Sequence, residues 1–133
     1  MKKIICALFT ILISQCLVAQ EVWNINEIEP AEEFDNIHSQ EMYSDSFGTS
    51  FVIWLKKEVK LHRHDFHTEK LYVLEGTGVS VLNNEMKMIK PGDFIVIPQG
   101  IPHSVTVTSE EPMKVISIQT PQFFGKDRVY IKN

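Results

Sequence analysis

Cysteine is the first shortage. The 133 residues contain two, Cys6 and Cys16, and both fall in the first nineteen. From Gln20 onward disulfides, thiolate metal sites and cysteine nucleophiles are therefore excluded. Other signatures are missing as well. No Gly-x-Ser-x-Gly and no Ser-His-Asp spacing supports a hydrolase triad. None of Gly76, Gly78, Gly92 and Gly100 belongs to a phosphate-cradling loop ahead of a helix. They suit turns that need positive φ. Positive charge is scarce too, with 13 Lys and Arg against 17 Asp and Glu. An acidic small domain is a poor partner for nucleic acid or an anionic membrane.

The first nineteen residues form a separate segment. Met1-Lys2-Lys3 is a short basic start, Ile4 to Ile13 is apolar apart from Thr10, and Ala19 is a small residue at a plausible cleavage point. This reads as a Sec-type secretory signal peptide over residues 1–19. The apolar run is shorter than the ~20 residues that a spanning helix needs. Cys16 could be the lipidated residue of a lipoprotein, but Gln15 is poor just before it, so lipidation ranks below soluble export. The leader carries two lysines and no acid, so removing it takes the net charge from −4 to −6. The expected destination is the periplasm or the extracellular space, with no membrane contact after cleavage. A metal would be acquired there, after translocation.

Residues 20–49 read as an N-terminal arm packing on the main domain. Val22–Ile25 suits a short strand and Ala31–His38 a turn of helix. Trp23, Phe34 and Ile37 suit core packing, and His38 a solvated loop. From Phe51 the texture changes. The expected strands are Phe51–Leu55, Val59–His64, Leu71–Leu74, Val79–Leu82, Met86–Ile89, Phe94–Ile97, His103–Thr108 and Met113–Gln119. Asn83-Asn84 suits a hairpin turn and Pro91-Gly92 the centre of a type II turn. Short strands between turn signals, with no sustained helical period, imply an all-β sandwich or barrel over residues 50–120. Residues 121–133 form a tail in which Tyr130 and Ile131 could dock on the sheet.

The chemistry concentrates at His62-Arg63-His64-Asp65-Phe66-His67-Thr68-Glu69. Alternate strand residues share a face, so His62 and His64 would point the same way, about 7 Å apart along the backbone. Glu69 could return from the neighbouring strand. His103 has the parity of the apolar Val105 and Val107, which turns it inward. Each histidine alone is better read as a hydrogen-bonded core residue; the four positions together favour a metal site. His67 is better read as a loop residue than as a fifth ligand. Arg63 and Asp65 have outward parity. Lys60 shares the parity of His62. A surface lysine at a strand end is its weightier reading, and a counter-charge for a substrate carboxylate the other.

His62-x-His64-x4-Glu69-x6-Gly76 resembles the first motif of the cupin superfamily, and Gly92-x5-Pro98-x-Gly100-x2-His103 the second. The resemblance covers residues 50–120. Lys56 stands where the first motif has a glycine and Val107 where the second has an asparagine; neither position is a ligand. The resemblance implies a single jelly-roll β-barrel holding one divalent transition metal (Fe, Mn, Zn or Ni) through His62, His64, Glu69 and His103. Three imidazoles and a carboxylate suit such ions better than Ca or Mg. The expected role is a metal-dependent enzyme on a small oxygen-rich substrate: a sugar or uronate isomerase or ring-opening enzyme, a lyase or a dioxygenase. The alternative is a small-ligand-binding or dimerising protein whose metal is structural. A homodimer is expected, with Trp54, Phe123 and Phe124 suited to the contact.

Overall fold

A computed structural model describes residues 21–132. The expected signal peptide, residues 1–19, therefore lies outside the described residues. A single turn of 3-10 helix, Ile25–Glu27, comes first. Ten strands follow: β1 (Ile37–Asp45), β2 (Gly48–Leu55), β3 (Glu58–Arg63), β4 (Thr68–Glu75), β5 (Gly78–Leu82), β6 (Glu85–Ile89), β7 (Phe94–Ile97), β8 (His103–Val107), β9 (Met113–Thr120) and β10 (Val129–Tyr130). They form two five-stranded antiparallel sheets, ordered β1-β2-β9-β4-β7 and β10-β3-β8-β5-β6. The chain crosses repeatedly between them, as a jelly roll does. Among the described residues no ladder joins one sheet to the other, so the barrel is two facing sheets rather than one closed ring.

Turn chemistry fixes the registers. Asn83 and Asn84 both have positive φ, 47° and 67°. That is the conformation of a two-residue type I′ hairpin, and it pairs Leu82 with Glu85. Gly76 has φ of 73°, and a Cβ there would lie 2.8 Å from the Cα of Met113. Only glycine lets the end of β4 pass so close to β9.

The apolar core gathers at one end. Leu55, Val73, Ile89 and Met113 are buried together, with Val59, Ile95, Val107 and Val115 packed against them. Inward positions of β4 and β9 then change character along the strands. On β9, Met113 and Val115 give way to Ser117 and Gln119. On β4, Val73 and Leu71 give way to Glu69. One end of the interior is thus hydrocarbon and the other polar.

Several expectations for the arm are corrected. Val22–Ile25 is not a strand; Asn24 caps the 3-10 turn. No helical turn forms over Ala31–His38, where bends lead into β1. β1 is an edge strand with one face in solvent, and its polar alternation concealed it. His38 is on that strand, half-buried between the rings of Phe34 and Trp54 at 5.8 and 5.6 Å. Trp54 is buried, not exposed. The Nζ of Lys114, also buried, lies 5.6 Å from its ring and donates to the carbonyl of Ile28 at 2.8 Å, which ties the arm to β9. Trp23 stays exposed rather than joining the core. Phe123 is half-buried edge-on to Phe51, while Phe124 is exposed.

Candidate metal centre

His62, His64 and His103 converge at the polar end. All three are buried, and their candidate ligand nitrogens lie within 4.8 Å of one another. Ring centroids are 5.1 Å apart for His62 and His64, 4.1 Å for His62 and His103, and 5.2 Å for His64 and His103. Glu69 enters from the opposite sheet. Its Oε2 lies 3.5 Å from Nε2 of His64 and 3.4 Å from Nε2 of His103. The structure thus brings all four sequence-predicted residues together.

The orientation of the rings has a local cause. Each Nδ1 faces a backbone carbonyl: Lys60 at 2.8 Å for His62, Asp127 at 2.6 Å for His64, and Ile101 at 3.0 Å for His103. A ring that donates from Nδ1 holds its lone pair on Nε2. For His64 and His103 the Nε2 atom is the one turned toward Glu69. The Nε2 atoms of His64 and His103 are buried with no hydrogen-bond partner. Burying an unpaired imidazole nitrogen is costly. A cation held between these atoms would satisfy both, so the donor set fits a metal.

Glu69 is prepared for the same role. Its Oε1 accepts from the hydroxyl of Ser117 at 2.6 Å and from Nε2 of Gln119 at 3.3 Å, which leaves Oε2 to the histidines. Burial pushes its pKa up, but the adjacent His103 and His64 imidazoles and the Ser117 hydroxyl outweigh burial and hold the carboxyl far below its ordinary range. Burial likewise disfavours a His64 cation, yet the Glu69 carboxylate and the Asp127 carbonyl raise its pKa overall. His62 goes the other way. Burial and the neighbouring His103 lower it to about 4, so its nitrogen is an available donor near neutrality.

A bulge decides which side chains share the site. Val59 pairs with Val105 and His62 with His103, so β3 spends one more residue than β8 between the two pairs. The extra residue reverses the alternation. Val59 therefore faces the interior with His62, and Lys60 is exposed. The surface reading of Lys60 holds, although it lies within β3 rather than at a strand end, and its alternative as a substrate counter-charge is withdrawn.

Simple alternation also missed Asp127. Its carboxylate is buried and accepts from the backbone N–H of Asp65 at 2.8 Å and of Phe66 at 3.0 Å, while its carbonyl orients His64. It also bonds Nδ1 of His67, whose Nε2 faces the carbonyl of Gln122 at 2.9 Å. His67 is thus a loop residue, as expected, but a buried one that locks the tail rather than a solvated one. Nothing in the tail's composition marks Asp127. Ser117 and Gln119 did carry a signal, as polar residues on the inward parity of an apolar strand.

Beside the four residues lies a cavity of about 70 Å³, walled by apolar side chains that include Val59, Leu71, Val73, Ile95 and Val105. Arg128 is a further lining residue. A buried polar group set in an apolar cavity is the usual form of a small-molecule site.

Comparison with known proteins identifies the fold. The family model for the cupin domain matches residues 51–119. An uncharacterized protein of Methanocaldococcus jannaschii is 36% identical over 76 residues, which span 57% of this chain and 61% of that one. The quercetin 2,3-dioxygenase of Bacillus subtilis is 32% identical over 63 residues, 47% of this chain but only 18% of the dioxygenase. The structure of KdgF from Halomonas sp. superposes with a TM-score of 0.69 at 18% identity, covering 80% of this chain and 97% of that one. The last likeness speaks to the fold alone.

Proposed function

The chain belongs to the cupin family, and from that we propose that it is an exported, mononuclear metal-binding cupin acting as an enzyme on a small oxygen-rich substrate. One observation carries the reading: His62, His64 and His103 converge with their Nδ1 atoms spent on backbone carbonyls, and His64 and His103 turn their Nε2 atoms toward the free oxygen of Glu69. These four residues would hold the ion. A divalent transition metal supplies Lewis acidity, and four protein ligands leave positions open for water or substrate. Ser117 and Gln119 keep Glu69 ionised and aimed. The apolar walls leave few polar groups near the ion besides its ligands. Similarity to a quercetin 2,3-dioxygenase supports a dioxygenase, and an isomerase, ring-opening enzyme or lyase would use the same open positions. Export rests on the basic, apolar and small-residue order of Lys2 to Ala19.

The test is to load the protein with Mn²⁺ and measure water-proton relaxation. An open reactive centre gives about one ion per chain and a rapidly exchanging water on that ion. An ion that binds with no exchangeable water would make the metal structural.

A further inference from the structure

Besides the candidate ligands, the cavity has one charged lining residue, Arg128. Its side chain is exposed, which places it at the mouth. It makes no ion pair and no side-chain hydrogen bond among the described residues, whereas Arg63, on the strand beside it, is satisfied by Asp65 at 2.6 Å. The backbone at Arg128 is held on both sides. Asp127 before it is buried and bonded to the His64–His67 loop. After it, Val129 pairs with Arg63, Tyr130 with His62, and the N–H of Ile131 donates to Leu61. The backbone that carries Arg128 is therefore held beside β3 rather than on a loose tail.

The charge balance then selects a ligand. Glu69 is the one carboxylate lining the cavity. A divalent ion, Glu69 and Arg128 together leave a net charge of about +2 among apolar walls, where an opposite charge is strongly favoured. An arginine fork without a partner matches a carboxylate in a bidentate pair. The cavity, about 70 Å³, is well below the roughly 300 Å³ at the lower end for drug-sized ligands, so the bound part is compact.

We infer that the site takes a small hydroxy or oxo acid whose carboxylate pairs with Arg128 at the mouth while its hydroxyl or keto oxygen reaches the metal position. The inference rests on the metal-binding reading and names the substrate class for it. It transfers the counter-charge role from Lys60, which the bulge turns outward, to the tail.

The test is calorimetric titration of the Ni²⁺-loaded protein with lactate and with lactamide, its uncharged counterpart, after metal content has been measured. Lactate is expected to bind more tightly than lactamide. Arg128→Gln should weaken lactate roughly 10- to 100-fold and leave lactamide unchanged, as loss of a charge-assisted pair predicts. Arg128→Lys should recover part of the loss, and Lys60→Gln should change nothing. Equal affinity for the two compounds, or an Arg128→Gln protein that keeps both its metal and the lactate preference, would overturn the inference. If Arg128→Gln fails to load metal, the Arg128→Lys protein decides: lactate binding equal to the parent's contradicts the fork, and partial loss supports it. Failure of the parent protein to load Ni²⁺ would strike the metal reading itself. Normal loading with no acid bound strikes this one alone.

Discussion

The two ends of the barrel interior use the same strands for opposite purposes. At one end Leu55, Val73, Ile89 and Met113 pack together, and their side chains carry no polar group that needs a partner. At the other, β3, β4 and β8 present His62, Glu69 and His103, buried as deeply as the core. Burying apolar area stabilises the fold directly. Burying imidazoles does not, and the polar end is supported instead by backbone carbonyls, by Ser117 and Gln119, and by Asp127. A rigid apolar end thus carries the cost of a polar end kept ready for an ion.

Substitutions at the two ends should separate stability from metal binding. His103→Ala removes a proposed ligand and should lower metal affinity by about a thousandfold, beyond the 10- to 100-fold expected of an outer partner. Its strand content by circular dichroism should be unchanged. Met113→Ala, at the other end, should cost about 2–5 kcal/mol in denaturant unfolding through the cavity it leaves. Its metal stoichiometry should match the parent's. If Met113→Ala lost metal as readily as stability, the two ends would not be independent.

Asp127→Ala lies between these cases. The carbonyl that orients His64 remains, but the loop loses its carboxylate anchor. Metal affinity should fall about 10- to 100-fold, as for an outer-shell partner. Competition with a chromogenic chelator would measure it, and an unchanged affinity would reduce Asp127 to a tail anchor.

The smallest expected effect is one of pH. In metal-free protein His62 is lowered to about 4 from 6.5, so between those values the unfolded chain binds the proton more readily. His62 therefore subtracts stability as pH falls through that window and nothing further below it. His64, raised, acts in the opposite sense. The contribution of His62 appears as a difference: metal-free His62→Gln should lose less stability than the parent on acidification from about 6.5 to 4. Parallel curves would contradict the assignment.

Much of this was legible in the sequence because strands alternate. The four candidate ligands, a hairpin turn at Asn83-Asn84 and the strands from Phe51 to Gln119 follow from parity and turn chemistry. β1 was hidden because a half-exposed edge strand has only one apolar face to show. The parity that grouped Lys60 with His62 failed because a bulge is a single extra residue that no local composition announces. Trp54 read as a contact residue because the arm that covers it has no pattern of its own. Asp127 and Arg128 were out of reach for a different reason. They act across about sixty residues of chain separation, by a tail that returns to pair with β3.

The central claim is that one ion sits among His62, His64, Glu69 and His103. X-ray absorption of the Ni²⁺- or Zn²⁺-loaded protein tests it most directly, read together with metal content. The expected result is about one ion per chain, with an inner shell at roughly 2.0–2.2 Å that contains three imidazole nitrogens and carboxylate oxygen. An inner shell lacking imidazole scattering, or fewer than about one ion per four chains with no gain on adding Mn, Fe, Zn or Ni, would contradict it.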